Sequence, residues 1–264
     1  MAAVLYEVDD LGVALITLNR PDTLNAMNAE LMEELHAAVA AAALAHDVRV
    51  VVLSGAGRGF CSGGDLGAAA SRVAEPELAR LDARIARGRR FVDTSRMLHD
   101  MGKPTIAMVN GPVAGAGVGL IGACDLRFAG RTAVFLTAFD QRGFAGDYGA
   151  TYFWTRNIGS ARTRELFLLG ERLDAEQAFA YGLYTRLFAD ADLRAETFAV
   201  AHRLAANYPS CWRLMKSSLN TAEDAAMEAA LDVEVNNMSL SMQMVFEEMK
   251  SARRAAASDA ASSR

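Results

Sequence analysis

Two glycine-rich segments carry the residue types best suited to chemistry in this chain of 264 residues. The first is Gly59-Phe60-Cys61-Ser62-Gly63-Gly64-Asp65-Leu66, and the second runs from Asn110 to Gly119. Glycine lets backbone N–H groups approach a ligand closely and adopts conformations that side chains forbid. Two such loops can each place one N–H on a single oxygen atom, which is the minimum for an oxyanion hole. The pattern therefore favours chemistry on a thioester or another acyl group.

Other reactive residue types are arranged less specifically. Gly117–Gly122 matches the G-x-G-x-x-G dinucleotide pattern, with Asp140 at about the distance of a ribose-binding acid. However, a dinucleotide fingerprint normally lies in the first βαβ unit, whereas this segment follows two predicted strands and a helix. The position therefore disfavours a dinucleotide site. Ser62 lacks a G-x-S-x-G elbow, and Cys61 has no identifiable histidine partner. Three cysteines without CxxC spacing indicate neither a disulfide framework nor a zinc site. We expect no bound metal.

The elements that must position the two loops can be placed from hydrophobic periodicity. A hairpin is predicted, then a helix capped by Asn28, then a buried strand that leads into the first loop. A charged helix and a second buried strand lead into the second loop, and a further strand follows. The predicted ranges are Val4–Val8, Val13–Leu18, a helix to about Ala45, Val48–Leu53, Pro76–Met101, Thr105–Val109 and Asp125–Ala129. This alternation of strand and helix predicts an α/β fold.

The pattern from Ser160 onward is helical. Helices are predicted over Ala161–Leu169, Ala175–Tyr181, Leu193–Asn207, Pro209–Ala222 and Ala225–Arg254. We divide the chain into an α/β core over residues 1–200, a helical oligomerisation region over 201–254 and a disordered tail over 255–264. The tail is expected to be disordered because it is rich in alanine and serine and carries charges.

Composition and charge exclude several classes of protein. Hydrophobic residues make up 52% and charged residues 22%, so a large core can form. The net charge of −5 and the lack of a Lys/Arg run predict no nucleic-acid partner. No apolar run reaches membrane-spanning length, so no membrane partner is expected. The N-terminus lacks a signal-peptide pattern and cysteine is sparse, which predicts a cytoplasmic protein.

Several motifs in one order resemble the enoyl-CoA hydratase/isomerase (crotonase) family. Asn19-Arg20-Pro21 with Asn25-Ala26-Met27 resembles its opening motif, and Arg58–Leu66 resembles its first oxyanion loop. Lys103–Ala129 is similar to its second oxyanion loop, and Gly159–Leu187 to the segment that follows. The resemblance implies a crotonase-like spiral of ββα units with a helical C-terminal trimerisation region. It also implies a coenzyme A thioester as substrate, no permanently bound cofactor, and a homotrimer or a dimer of trimers.

The resemblance also implies roles for particular residues. The two oxyanion donors are the backbone N–H groups of Gly64 and Ala116, and a helix is expected to begin near Ala116. The residues implied to contact coenzyme A are Ser62, Cys61, Gly63, Met27 and Ala26. The acyl pocket is implied to draw on Leu66, Gly119, Phe139 and Phe144.

The chain departs from the family pattern at the two glutamates that hydratases use. Gly119 and Phe139 stand at those positions. Gly143–Thr151 resembles a family segment in which an aspartate serves isomerases or acts as a nucleophile, and Asp147 matches that aspartate. Asp140, beside the missing glutamate, is a second candidate. The structural alternative for Asp147 is the N-cap of a helix over Tyr148–Arg156.

One remaining acid favours isomerisation, because one carboxylate can remove a proton and return it to another carbon. The sequence therefore predicts an enoyl-CoA isomerase with Asp147 as base. Three alternatives stay open: a hydratase with an atypical acid arrangement, a non-catalytic acyl-CoA-binding homologue, and a hydrolase or dehalogenase with Asp147 as nucleophile.

Overall fold

The computed structural model describes residues 2–67 and 80–262. The predicted hairpin is confirmed as β1 (Val4–Val8) and β2 (Val13–Leu18), which pair antiparallel. Helix α1 (Ala29–Leu44) begins at the predicted cap, where the Asn28 side chain accepts the Leu31 N–H at 2.9 Å. The first of the two buried strands is β3 (Val50–Gly55).

The middle of the chain supplies the second glycine loop. Helix α2 (Leu81–Asp100) occupies most of the predicted charged helix, whose residues 76–79 lie outside the described residues. Strand β4 (Thr105–Val109) follows, then the short β5 (Val113–Ala114). Helix α3 (Ala116–Gly122) begins at the residue expected from the resemblance. Strands β6 (Leu126–Gly130) and β7 (Val134–Leu136) complete this part.

The remaining elements are mostly helical, as predicted. They are α4 (Ala150–Ile158), α5 (Ser160–Leu169), β8 (Leu173–Asp174), α6 (Ala175–Tyr181), β9 (Arg186–Phe188), α7 (Leu193–Ala205), α8 (Pro209–Asp224) and α9 (Met227–Ser262). The two short strands were not predicted, because two or three residues are too few to show a period.

A six-stranded sheet has the order β1-β2-β3-β4-β6-β9, with β2, β3, β4, β6 and β9 parallel. Alternate residues of the central strands face opposite sides of this sheet. Ile16 and Leu53 belong to a core cluster that also contains residues of α1 and α3. Leu15 and Val52 belong to a second cluster with α7. Burial on both faces explains the continuous apolar runs of these strands.

The chain divides into two compact units, residues 1–206 and 207–264, so the boundary lies six residues after the predicted one. In the second unit, Asn237 on α9 donates to the Leu214 carbonyl at 3.1 Å and to the Ser218 hydroxyl at 3.0 Å on α8. Helix α9 continues to Ser262, where the sequence predicted a disordered tail from 255. The alanines of this segment have the highest helix propensity, and that outweighs its charges. Residues 263 and 264 lie outside the described residues.

Candidate active site

The two glycine loops meet because they follow adjacent parallel strands. Strands β3 and β4 pair in parallel, so both loops leave the same edge of the sheet, where ligands bind in open α/β sheets. The Phe60 N–H donates to the Pro112 carbonyl at 3.0 Å, and the Ala114 N–H donates to the Cys61 carbonyl at 2.8 Å. The loops therefore continue the pairing of the strands that precede them.

Two glycines allow the loops to touch. Gly63 has φ +90°, and Gly115 has φ +53° with ψ −123°. A side chain on Gly63 would place its Cβ 3.1 Å from the Ala114 carbonyl oxygen and 3.3 Å from the Cα of Gly115. Only glycine tolerates both the positive φ and this approach of two backbones. The contact brings Gly64 beside Ala116.

Gly64 and Ala116 each direct a backbone N–H away from its neighbours. Gly63 accepts the Met27 N–H at 2.8 Å, and the Asp65 N–H donates to Met27 at 3.1 Å. Because a strand alternates its polar groups, the Gly64 N–H points to the other side. Ala116 is the first residue of α3, so its N–H has no partner within the helix. Within residues 2–67 and 80–262 neither N–H donates a hydrogen bond.

Both residues line a cavity of about 380 Å³. Its walls come from the two glycine loops and from the segment between β7 and α4, and its described lining is Ser62, Gly63, Gly64, Leu66, Gly115, Ala116, Ala138, Phe139, Arg142, Phe144, Ala145, Gly146 and Asp147. Eight of the thirteen predicted site residues are in this lining. The structure thus brings together the two predicted donors, the predicted acid Asp147 and most of the predicted pocket.

The Asn25 side chain holds the first loop in place. It is fully buried, and its Nδ2 donates to the carbonyls of Ala56, Gly59 and Phe60 at 2.8–3.1 Å. Its Oδ1 accepts the Arg20 N–H at 2.8 Å. The guanidinium of Arg20 in turn pairs with Asp65 at 3.0 Å. Asn25 itself has φ +57°, in the left-handed region that asparagine tolerates better than alanine.

Asn25→Ala should lower the free energy of unfolding by about 2–4 kcal/mol, because it leaves buried carbonyls unpaired and puts alanine at a positive φ. Urea unfolding monitored by circular dichroism measures the change. Asn19→Ala is the matched control, since the Asn19 side chain makes one exposed hydrogen bond in the described part of the chain, to the Ala2 carbonyl. Its cost should stay below about 1 kcal/mol. An equal loss in both variants would contradict this account of Asn25.

Asp147 is exposed to the cavity, and its Oδ1 accepts the Tyr148 N–H at 2.7 Å. The surrounding protein raises the pKa of the carboxyl by desolvation, and the Tyr148 N–H offsets part of that rise. Asp147 is not the cap of the following helix, because Gly149 with φ +72° occupies the N-cap of α4. The carboxylate therefore remains available to a ligand, and the alternative of a helix cap is wrong.

Neither position of the two hydratase glutamates contains an acid, and the first of them, Gly119, offers no room for one. A Cβ on Gly119 would lie 2.6 Å from the Tyr148 carbonyl oxygen and 2.9 Å from that of Asp147. The backbone of Asp147 and Tyr148 thus fills the space of the first side chain. Tyr148 has φ +52° and is buried, which is a strained arrangement of the kind found at functional sites. Phe139 stacks on Phe167 with ring centroids 5.8 Å apart.

Five predicted site residues lie outside the described lining of the cavity. The second acid candidate, Asp140, turns its carboxylate onto the Cα of Gly170, because Gly170 offers no side chain there. Met27 is buried in the core, and the Ala26 carbonyl accepts the Arg20 guanidinium. Asp140, Met27 and Ala26 therefore lie outside the described lining of this cavity, and the coenzyme A contacts of Met27 and Ala26 stay predictions.

Cys61 and Gly119 are the other two residues behind the cavity wall. Cys61 is fully buried, and burial raises the pKa of its thiol to about 12, although the N–H groups of Gly63 and Gly117 donate to the sulfur. A thiol with so high a pKa is no nucleophile at neutral pH. Cys61 instead packs under the second loop, where a Cβ on Gly117 would lie 2.8 Å from the Cβ of Cys61.

Sequence reasoning missed five residues of the described lining, which are Gly115, Ala138, Arg142, Ala145 and Gly146. Among these five, Arg142 has the one charged side chain. The only sequence signal for Arg142 was its place in the same segment as Phe139 and Asp147.

No group of histidine, cysteine and carboxylate side chains suited to a metal ion occurs in residues 2–67 and 80–262. In the same part of the chain, no helix is both long and apolar enough to cross a membrane.

The arrangement can hold an oxygen atom between two N–H donors and move a proton at a nearby carbon. Comparisons with known proteins show which family the chain resembles over most of its length. The model of the enoyl-CoA hydratase/isomerase family matches residues 9–253. The 1,2-epoxyphenylacetyl-CoA isomerase of Escherichia coli is 35% identical over 234 residues, covering 89% of this chain and 88% of that protein.

A probable enoyl-CoA hydratase of Mycobacterium bovis is 37% identical over 236 residues, covering 89% of this chain and 83% of that protein. The crystal structure of a putative enoyl-CoA hydratase from Streptomyces coelicolor superposes with a TM-score of 0.85 at 31% identity, covering 91% of this chain and 86% of that one. The fold class expected from the sequence is confirmed by these similarities.

Proposed function

This chain belongs to the enoyl-CoA hydratase/isomerase family, and we propose that it is an isomerase of enoyl-CoA thioesters with Asp147 as its base. The thioester carbonyl oxygen sits between the N–H groups of Gly64 and Ala116. Asp147 removes a proton from one acyl carbon, which leaves an enolate whose negative oxygen the two donors stabilise. The same carboxyl then returns the proton to another carbon, and the double bond moves.

One observation carries this proposal. Among the described residues that line the cavity, Asp147 is the only carboxylic acid, and it shares the cavity with the two N–H donors. Addition of water normally uses two acid or base groups, whereas proton transfer between carbons needs one. The blocked space at Gly119 and the stacked ring of Phe139 likewise favour an isomerase over a hydratase. The name of the Escherichia coli relative, an isomerase, agrees with it.

Deuterium exchange tests the proposal. Several enoyl-CoA thioesters are incubated with the protein in heavy water and followed by NMR, and a parallel sample contains ¹⁸O-labelled water. We expect deuterium at acyl carbons and a shifted double bond, without ¹⁸O in the product. Incorporation of ¹⁸O by addition to the double bond would identify a hydratase. Tight binding without exchange across the panel would identify a non-catalytic homologue.

The pH dependence of turnover should report the raised pKa of Asp147. A base acts in its ionised form, so activity is lost as pH falls through its pKa. Because burial holds this pKa above the ordinary value, the acid limb of kcat/KM should lie at higher pH than an ordinary aspartate would give. Initial rates between pH 4 and 8 measure it. An acid limb at or below the pKa of a free aspartate would contradict Asp147 as the base.

The proposed assembly is a homotrimer, or a dimer of trimers, formed through the second unit. Support comes from large apolar side chains that α8 and α9 leave exposed, among them Leu219, Val235, Met238 and Phe246.

A cytoplasmic location is also part of the proposal. It is supported by the free thiols of Cys61, Cys124 and Cys211, which suit a reducing compartment.

A further inference from the structure

Arg142 is a cation in the wall of the cavity without a partner in the described part of the chain. It is the only basic residue in the described lining. No ion pair or side-chain hydrogen bond joins it to residues 2–67 or 80–262. Arginine in a protein stays charged, and its planar fork matches the two oxygens of a carboxylate. The Arg142 side chain is exposed and unpaired in this part of the chain, so it is available to an anionic group of a ligand in the cavity.

The turn that carries Arg142 is well defined. Asp140–Arg142 forms a short 3-10 helix in which the Arg142 N–H donates to the Phe139 carbonyl at 3.2 Å. The Phe144 N–H donates to the same carbonyl at 2.9 Å, and Gly143 reverses the chain with φ +70°. Gln141 donates to the Gly170 carbonyl at 3.2 Å. These bonds hold the residue in the cavity wall.

Neither nearby acid neutralises Arg142. Asp140, two residues earlier, turns its carboxylate toward Gly170. Asp147 lines the same cavity, but the causes that shift the pKa of its carboxyl are desolvation and the Tyr148 N–H, and Arg142 is not among them. The cation and the acid therefore occupy separate places on one wall.

We propose that Arg142 binds a carboxylate on the acyl group of the substrate, so that the protein prefers CoA thioesters of dicarboxylic acids over neutral ones. This inference rests on the proposed function. Arg142 belongs to the same segment as Phe139 and Asp147, and this wall would face the acyl carbons on which the base acts. Ser62 and Gly63, where coenzyme A itself is expected, come from the first loop. A fork of two charge-assisted hydrogen bonds would fix the far end of the acyl chain.

Calorimetric titration of the full chain with glutaryl-CoA, pentanoyl-CoA and free coenzyme A tests this. The two thioesters are saturated and of equal chain length, so they differ in the terminal carboxylate and cannot be hydrated or isomerised. We expect the wild type to bind glutaryl-CoA about tenfold more tightly than pentanoyl-CoA. Arg142→Gln should remove that preference and leave the affinity for pentanoyl-CoA within about twofold. Arg142→Lys should retain part of it, because the charge remains but the fork is lost.

Arg164→Gln is the matched control, since Arg164 is exposed on α5 and outside the described cavity lining. It should keep the preference for glutaryl-CoA. Equal wild-type affinities for the two thioesters would overturn the inference while leaving the proposed function intact. So would an Arg142→Gln variant that binds all three ligands more weakly by the same factor, because Arg142 would then contact a phosphate of coenzyme A. If the wild type binds none of the three, the proposed function fails as well.

Discussion

Asp147→Asn should bind CoA thioesters with nearly wild-type affinity and lose turnover by about 10²- to 10⁴-fold, the usual contribution of a general base. The amide has the shape of the carboxylate, and its oxygen can still accept the Tyr148 N–H that Oδ1 accepts at 2.7 Å. It cannot accept a proton from carbon. Steady-state kinetics and calorimetric titration with one thioester separate the two effects. A variant with normal turnover would remove Asp147 from the mechanism.

Asp140→Asn is the matched control for that experiment. Both aspartates belong to the segment between β7 and α4, but the carboxylate of Asp140 is turned onto Gly170, outside the described lining of the cavity. Its turnover should stay within about threefold of the wild type, as for a surface substitution.

A hydrolase or dehalogenase would use Asp147 as a nucleophile instead. Mass spectrometry after rapid quenching would then show an acyl group attached to Asp147. The isomerase proposal expects the unmodified peptide under the same conditions.

Gly119→Ala should have the second large effect, on both folding and turnover. Its Cβ would lie 2.6 Å from the Tyr148 carbonyl oxygen, 2.7 Å from the Tyr148 Cβ and 2.9 Å from the Asp147 carbonyl oxygen. Most of these contacts are with backbone, so the α3 helix and the Asp147–Tyr148 segment must move apart. We expect a loss of about 1–3 kcal/mol in the free energy of unfolding, the usual range for overpacking. We also expect turnover to fall about a hundredfold, because small misplacements of reacting groups have effects of that size.

The neighbouring contacts explain why this interface cannot easily relax. The Trp154 indole donates to the Val118 carbonyl at 3.0 Å, and Asn157 donates to the Gly122 carbonyl at 3.1 Å. These bonds fasten α4 to α3, the helix that begins at Ala116, the proposed oxyanion donor. The same packing therefore sets the position of the acid relative to the donor.

Gly88→Ala is the matched control for folding. Gly88 lies inside α2, and a Cβ there would meet no atom within 4 Å. Alanine should stabilise that helix by about 0.5–1 kcal/mol. Thermal unfolding compares the two variants. Equal stability of Gly119→Ala and the wild type would contradict the close approach of Tyr148 to α3.

Gly119→Glu restores the residue that hydratases of the family carry, and it should not produce a hydratase. The Asp147–Tyr148 backbone occupies the space that the new side chain needs. A folded variant that adds ¹⁸O from water to crotonyl-CoA would show that the missing glutamate alone decides the reaction.

Much of the fold could be predicted because its signals are local. The hairpin, the Asn28 cap and the two apolar strands each depend on residues close together in the chain. The start of α3 at Ala116 was expected from the family resemblance instead. The strands β8 and β9 escaped prediction, since their short pairing is decided by distant partners. The tail over 255–264 was predicted to be disordered, whereas α9 continues to Ser262, because charge and low complexity were weighted above the helix propensity of alanine.

The sequence by itself determined the presence of two glycine loops after two buried strands, and the absence of both hydratase glutamates. The loops and strands follow from residue types and their order, and the missing glutamates follow from the resemblance to the family. Only the tertiary structure decided that Gly119 leaves no space for an acid, that Asp140 faces Gly170 and that Arg142 enters the cavity wall. Each of these depends on segments that are separated in the chain and meet through packing. Close-packed contacts between such segments decide which side chains a ligand can reach.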